Sequence, residues 1–177
     1  PDNISENTGG SFEPQISSEG NNVYVVWTGI VPGNGDIFFA RSTDGGVTFS
    51  EPDNISENIG SSSEPQISSE GNNVYVVWID NADNPGVTND IFSARSIDGG
   101  QTFSEPDNIN ENTLSELPQI SSEGNNVYVI WTDFTPGNYD IFFSFSHDGG
   151  QTFSTPPDNL SNNTGDSFGS QISCSTF

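Results

Sequence analysis

Apolar residues alternate with polar ones in short runs along this 177-residue chain, and no run follows a helical period. In the first copy of the pattern, strands are predicted at 14–18, 23–28, 37–42 and 47–50. Stretches rich in Gly, Asn, Asp and Pro separate them, as turns require. The second strand has apolar side chains on both of its faces, so we expect other parts of the protein to cover it on both sides.

The same four-strand pattern recurs along the chain. The segment NNVYVVW or NNVYVIW ends at Trp27, Trp78 and Trp131, which are 51 and 53 residues apart. A glutamine follows the same period, and so does a PDN segment. The glutamines are Gln15, Gln66, Gln119 and Gln171, and the PDN segments begin at Pro1, Pro52, Pro106 and Pro157. The unit is therefore about 52 residues long.

A four-stranded antiparallel unit of this length, covered on both faces, predicts an all-β fold: a β-propeller of four-stranded antiparallel blades. A parallel β-helix is the competing architecture, but its coils are shorter. We expect residues 1–9 to end a preceding blade, 10–60, 61–113 and 114–164 to form blades, and 165–177 to begin the next. Propellers have about four to eight blades, so three blades do not close a ring. We expect further blades of a longer chain to close it, and the alternative is self-association of copies of this chain.

An eight-residue motif lies between the third and fourth predicted strands of each unit. It reads Ser-x-Asp-Gly-Gly-x-Thr-Phe and resembles the Asp-box, or BNR, repeat of sialidase-like propellers. Its residues are Ser42, Asp44, Gly46, Thr48 and Phe49, then Ser96, Asp98, Gly100, Thr102 and Phe103, then Ser146, Asp148, Gly150, Thr152 and Phe153. The Asp carboxylate can accept backbone N–H groups, and glycine permits a positive φ. The resemblance implies a structural motif at the blade periphery, away from the ligand-binding centre.

The resemblance also sets out what a sialidase site needs: three arginines, a tyrosine nucleophile paired with a glutamate, and an aspartate as acid and base. The chain has only Arg41 and Arg95, which occupy the same repeat position, where the third copy has Phe145. The tyrosines Tyr24, Tyr75 and Tyr128 are likewise repeat-equivalent, and only Tyr139 is not. We therefore expect no catalytic residue in this chain.

Charge narrows the range of partners. The chain has 25 acidic residues against 2 basic ones, a net charge of −23. This excludes a phosphate-backbone binder and argues against an anionic membrane surface. Leu, Ile, Val and Phe together number 42 of 177 residues, so we expect a folded protein. No apolar run is long enough for membrane insertion. We interpret His147 as an exposed turn residue and Cys174 as a small buried strand residue.

The loops between the second and third strands, 29–36, 80–90 and 133–140, differ most between copies and are expected to carry specificity. Their carboxylates are candidate Ca²⁺ ligands, because Ca²⁺ prefers oxygen donors. The candidates are Asp80, Asp83, Asp90, Asp133 and Asp140. The alternative is that these carboxylates are solvated and cap turns. Apart from Ca²⁺, the sequence indicates no cofactor.

Asn-x-Ser/Thr sequons mark Asn3, Asn54, Asn159 and Asn162 as glycosylation candidates and favour an extracellular or cell-surface protein. The leading hypothesis is a non-catalytic extracellular β-propeller that serves as a glycan or protein recognition module or as a structural scaffold. One alternative is part of a sialidase-type glycoside hydrolase whose catalytic residues lie in other blades. Another is a repeat unit of an extracellular filament or surface layer.

Overall fold

The computed structural model describes residues 3–6, 9–31, 33–57, 59–81, 89–110, 114–134 and 137–174. Its strands form three four-stranded antiparallel sheets, here called blades 1, 2 and 3. Blade 1 has β1 (Ser11–Glu19), β2 (Asn22–Val31), β3 (Asn34–Ser42) and β4 (Asp53–Asn54); blade 2 has β5 (Ser62–Glu70), β6 (Asn73–Asp80), β7 (Asp90–Ser96) and β8 (Asp107–Asn108); blade 3 has β9 (Ser115–Glu123), β10 (Asn126–Asp133), β11 (Asp140–Ser146) and β12 (Asp158–Asn159).

The prediction of a fourth strand at 47–50 is wrong. The residues that pair with β3 are Asp53 and Asn54, and Asp53 lies opposite Phe39. The reason is that the Asp44 carboxylate accepts the N–H groups of Val47 and Thr48, both at 2.9 Å. Those two donors are used within the turn, so the ladder begins only after the turn has ended.

The blades stack face to face, and the apolar core lies between them. Blade 1 contributes Tyr24, Val26 and Phe39 to a buried cluster that also contains Val76 and Trp78 of blade 2. A second cluster joins blade 2 to blade 3 in the same way. Strand β6 is buried almost throughout, which confirms the expectation that the apolar second strand is covered on both sides.

The first strands of the blades, β1, β5 and β9, lie next to one another. Each contains an irregularity just after its start, where the pairing with the second strand shifts. At this point Glu13, Glu64 and Leu117 have positive φ angles of 54°, 53° and 55°. Residues other than glycine seldom adopt this conformation. The repetition in three blades marks a constant feature of the inner strands.

Residues 165–174 form no strand and follow the edge of blade 3. The N–H of Ser167 donates to the carbonyl of Tyr139 at 2.7 Å, and the N–H of Cys174 donates to Ser121 Oγ at 2.8 Å. The expectation for Cys174 is thus wrong in detail, because this residue is only partly buried and lies outside the strands. Gly169, at φ +74°, occupies the repeat position of Leu117. In the described part of the chain, no helix could cross a bilayer.

Candidate functional site

The three Ser-x-Asp-Gly-Gly-x-Thr-Phe segments, 42–49, 96–103 and 146–153, form turns of the same geometry, here called box turns. In the first, Ser42 Oγ donates to Asp44 Oδ1 at 2.7 Å, and Thr48 Oγ1 donates to Asp44 Oδ2 at 2.6 Å. The N–H of Gly46 donates to Ser42 Oγ at 2.9 Å. The bonds from Thr48, with those from Ser42, hold the pKa of Asp44 well below its usual range. The motif residues therefore close the turn themselves.

The box turns of blades 2 and 3 also join neighbouring blades. Arg41 Nη1 donates to the carbonyl of Gly99, and Arg95 Nη1 donates to that of Gly149, both at 3.4 Å. The Tyr24 and Tyr75 hydroxyls are buried close to these turns, and burial raises the pKa of both phenols. Both arginines of the chain are thus engaged between blades.

Blade 3 has Phe145 at the repeat position of these arginines. His147 is exposed, as interpreted from the sequence, and its ring lies 4.8 Å from that of Phe145 between centroids. Its Nδ1 is 2.7 Å from Asn126 Oδ1. The outward face of blade 3 is therefore aromatic where the equivalent faces of blades 1 and 2 carry a cation.

The PDN segments connect the fourth strand to a carboxylate at the start of the third. Asn54 Nδ2 donates to Asp36 Oδ2 at 2.8 Å, and Asn159 Nδ2 donates to Asp140 Oδ2 at 2.9 Å. Burial raises the pKa of Asp36, whereas hydrogen bonds, first that from Asn159, lower the pKa of Asp140. The side-chain nitrogens of two predicted glycosylation sites are therefore already engaged within the fold. In contrast, Asn162 is exposed.

The acidic residues predicted as Ca²⁺ ligands lie in pairs across the second and third strands. Asp80 pairs with Asp90, and Asp133 with Asp140, and all four are buried. Trp78 Nε1 donates to Asp80 Oδ2 at 3.1 Å. The fifth candidate, Asp83, lies outside the described residues. In the described ranges, no three His, Cys, Asp or Glu side chains are grouped so that they could hold a metal ion.

A groove of about 320 Å³ runs across the inner strands of the three blades. It is lined by Glu13, Gln15, Glu64, Pro65, Gln66, Leu117, Pro118 and Gln119. These residues belong to the recurring Glu-Pro-Gln segment, which reads Leu-Pro-Gln in blade 3 and contains the irregularity of each first strand. Sequence reasoning identified this segment as a repeat marker and missed it as a surface. Its regular recurrence was the available signal, but that recurrence does not show that the copies meet.

Glutamates connect the blades along this groove. Glu13 Oε2 accepts the N–H of Glu64 at 2.8 Å and the hydroxyl of Thr28 at 3.0 Å. Glu64 Oε2 accepts the N–H of Leu117 at 3.0 Å. Burial raises the pKa of Glu64, and the nearby charges of Glu13 and Glu116 add to the effect. Each carboxylate thus holds the strained backbone of the next inner strand.

Further bonds at the other end of the inner strands repeat this arrangement. The hydroxyls of Ser17 and Ser69 lie 2.7 Å apart, as do those of Ser68 and Ser122. Glu19 accepts the N–H of Gly71, and Glu70 that of Gly124. Because side chains of one blade bond the backbone of the next, the groove has a well-defined wall.

No family model and no curated protein matches this sequence. Among solved structures, the chain resembles the GH93 alpha-L-arabinofuranosidase of Fusarium graminearum in complex with arabinobiose, with a TM-score of 0.62 and 13% identity over 84% of this chain. A Trypanosoma rangeli sialidase mutant displaying trans-sialidase activity gives a TM-score of 0.55 and 13% identity over 81% of it. A family 117 glycoside hydrolase of Zobellia galactanivorans gives a TM-score of 0.60 and 11% identity over 89% of this chain.

The chain covers 50% of the Fusarium enzyme, 30% of the Trypanosoma enzyme and 58% of the Zobellia enzyme. At these identities the likeness concerns the fold alone. The prediction of an all-β propeller is confirmed, because the three antiparallel sheets match part of larger sialidase-like β-propellers.

Proposed function

We propose that this chain is a non-catalytic recognition module of an extracellular or cell-surface protein, and that it binds glycans in the groove along its inner strands. The observation that carries the proposal is the groove itself, in which equivalent side chains from three blades face one opening. The extracellular setting rests on the box-turn resemblance and on the exposed sequon at Asn162.

The lining of the groove suits a sugar. Gln15, Gln66 and Gln119 each offer an amide that can donate and accept hydrogen bonds, as recognition of hydroxyl groups requires. Leu117 is 44% exposed and supplies apolar surface beside them, and the buried Pro65 and Pro118 also line the groove. Small-molecule sites typically combine apolar surface with a few well-placed polar groups. One structure with a similar fold holds arabinobiose, which is compatible with this choice of ligand.

The engagement of the obvious reactive groups supports a non-catalytic role. Arg41 and Arg95 donate to neighbouring box turns, and Tyr24 and Tyr75 are buried between blades. All four recur by symmetry, whereas a catalytic centre needs different groups from different blades.

A glycan array followed by calorimetry tests the proposal, with and without Ca²⁺. We expect binding of at least one glycan class and its loss in the variants Gln66→Ala and Gln119→Ala. Gln101→Ala is a matched control, because that glutamine lies in a box turn and donates to the carbonyl of Asp98. Absence of glycan binding in all conditions, or equal loss in the control, would contradict the proposal.

The second candidate is part of a glycoside hydrolase whose catalytic residues lie in other blades. The observation in its favour is that the chain covers only half of the Fusarium arabinofuranosidase. We expect this chain alone to release no product from fluorogenic sialosides or arabinofuranosides. Turnover by the chain would locate catalytic groups within these blades and refute the non-catalytic proposal.

A further inference from the structure

The glutamate connections along the groove are interrupted at blade 3. In blade 1, the Glu13 carboxylate accepts two bonds, from the hydroxyl of Thr28 and from the N–H of Glu64 in the next blade. In blade 3, the residue at the position of Glu13 is Leu117, whose side chain has no hydrogen-bond acceptor.

The backbone around Leu117 is the same as that around Glu13. The φ angles of the two residues are 55° and 54°. Thr132 of β10 pairs with Glu116 of β9, just as Thr28 pairs with Phe12 in blade 1. A carboxylate carried by residue 117 would therefore have the same relation to Thr132 that Glu13 has to Thr28.

The donors at this position remain in place although the acceptor is absent. Thr132 is 0% exposed, and its hydroxyl has no hydrogen-bond partner among the described residues. Gly169 provides the backbone N–H at the repeat position of Glu64 and Leu117. Ser170 beside it has a second buried hydroxyl without a partner in the described chain.

An acceptor reaches the buried Thr132 hydroxyl when the side chain of Leu117 moves aside. Leu117 is 44% exposed, and Glu13, whose carboxylate takes the equivalent place in blade 1, is exposed as well. A Cβ added to Gly169 would meet no atom within 4 Å. Because a buried donor without an acceptor is costly, this position favours a ligand that supplies one.

We propose that the joint between blade 3 and residues 165–174 is a binding site for a carboxylate, held by the Thr132 hydroxyl, the Ser170 hydroxyl and the Gly169 N–H. Leu117 and Pro118 also line the groove, so the site lies at its blade 3 end. The natural occupant is an acidic sugar such as a uronate. The assignment of a sugar as the occupant rests on the proposed glycan function, whereas the carboxylate site itself does not.

The charge of the surroundings shapes the affinity. Glu64 and Glu116 lie near this end of the groove and repel an anion. Binding of a free carboxylate is therefore weak at low ionic strength. Carboxylate binding strengthens when an inert salt screens these repelling charges. At a cationic patch the same salt would weaken the binding of an anion.

Acetate is the simplest probe, titrated into isotope-labelled protein and followed by amide and methyl NMR against sodium chloride at equal ionic strength. We expect saturable shifts at Gly169 and Thr132. Thr132→Val should weaken acetate binding about tenfold. The matched control Thr28→Val should leave it unchanged, because Glu13 already occupies the equivalent position in blade 1.

Leu117→Glu provides a second test that does not depend on loss of a group. It supplies the carboxylate internally, so we expect acetate binding to disappear and the urea midpoint of unfolding to rise. Absence of saturable shifts in the parent chain, or acetate binding unchanged by Leu117→Glu, would overturn the site.

Galacturonate separates the two parts of the proposal. Binding of galacturonate tighter than that of acetate supports an acidic sugar as the occupant, and equal binding overturns that assignment while the carboxylate site stands. If acetate binds but no glycan does, the proposed glycan function fails and the site is retained.

Discussion

The glycines of the box turns allow the packing between blades to be measured separately from the turn. Gly46 and Gly100 occupy the same position in successive turns, with φ angles of +84° and +75°. A Cβ added to Gly46 would meet no atom within 4 Å. A Cβ added to Gly100 would lie 2.5 Å from Phe39 Cζ of the preceding blade. The two alanine variants therefore share a backbone cost and differ in one contact.

The shared cost is that of placing alanine at a positive φ, about 1–2 kcal/mol. The additional cost at Gly100 is overpacking, because the Phe39 ring is 1% exposed and meets Phe103 edge-on at 4.8 Å between centroids. Overpacking costs about 1–3 kcal/mol. We thus expect Gly100→Ala to destabilise the protein more than Gly46→Ala by about 1–3 kcal/mol. Gly150→Ala should fall between them, since its nearest neighbour, Tyr75 Cδ1, would be 3.4 Å away.

Urea unfolding followed by tryptophan fluorescence measures the series, because Trp78 and Trp131 are buried between blades. The variants can be compared by their midpoints provided the slope of the transition is unchanged. Equal destabilisation by Gly46→Ala and Gly100→Ala, within about 0.5 kcal/mol, would refute the reasoning. It would mean that the box turn of blade 2 does not pack against blade 1 as described.

Three further predictions concern charge and modification. Hydrogen bonds, first that from the Thr102 hydroxyl, lower the pKa of Asp98. The ionised Asp98 carboxylate therefore stabilises the fold fully above about pH 4, and this stabilisation declines as pH falls towards the folded-state pKa. Asp98→Asn should lower the urea midpoint of unfolding at neutral pH, and the difference in midpoint between variant and parent chain should become smaller in acid. Burial raises the pKa of Glu64, so the charge on its carboxylate disfavours the folded state at neutral pH. Glu64→Gln should raise the urea midpoint at neutral pH and leave it unchanged at about pH 3, which is below the pKa of Glu64 in both the folded and the unfolded chain. A lowered midpoint at neutral pH would contradict this prediction. In a host that glycosylates secreted proteins, glycopeptide mass spectrometry should find sugar on the exposed Asn162 and none on Asn54, whose Nδ2 donates to a buried carboxylate.

The candidate site was less accessible to sequence reasoning than the fold. The Glu-Pro-Gln segment was visible as a repeat, but its role depends on three copies meeting at one groove. The same holds for Leu117. In the sequence it is a departure from a repeated glutamate, and only the Thr132 hydroxyl, which has no hydrogen-bond partner within the described ranges, shows what that departure leaves behind.

Local chemistry explains both the success and the error in the strand assignments. Alternating apolar residues and glycine turns predicted the first three strands of each blade, because side-chain direction and backbone freedom are properties of neighbouring residues. The fourth strand was misplaced because Asp44 takes the N–H groups of Val47 and Thr48. A side chain competing with the sheet for backbone donors leaves no mark in the hydrophobic pattern.

The sequence by itself determined the period of the fold, the first three strands of each unit and the chemistry of the box turns. These depend on residues a few positions apart, so they recur wherever the motif recurs. Only the tertiary structure decided how equivalent residues come to differ. Gly100 and Gly150 occupy the same position of the motif, yet a Cβ on Gly100 would lie 2.5 Å from Phe39 Cζ of the preceding blade and one on Gly150 would lie 3.4 Å from Tyr75 Cδ1. The groove, the glutamate connections and the carboxylate site arise between residues about 50 positions apart, where packing, and not local pattern, sets the contacts.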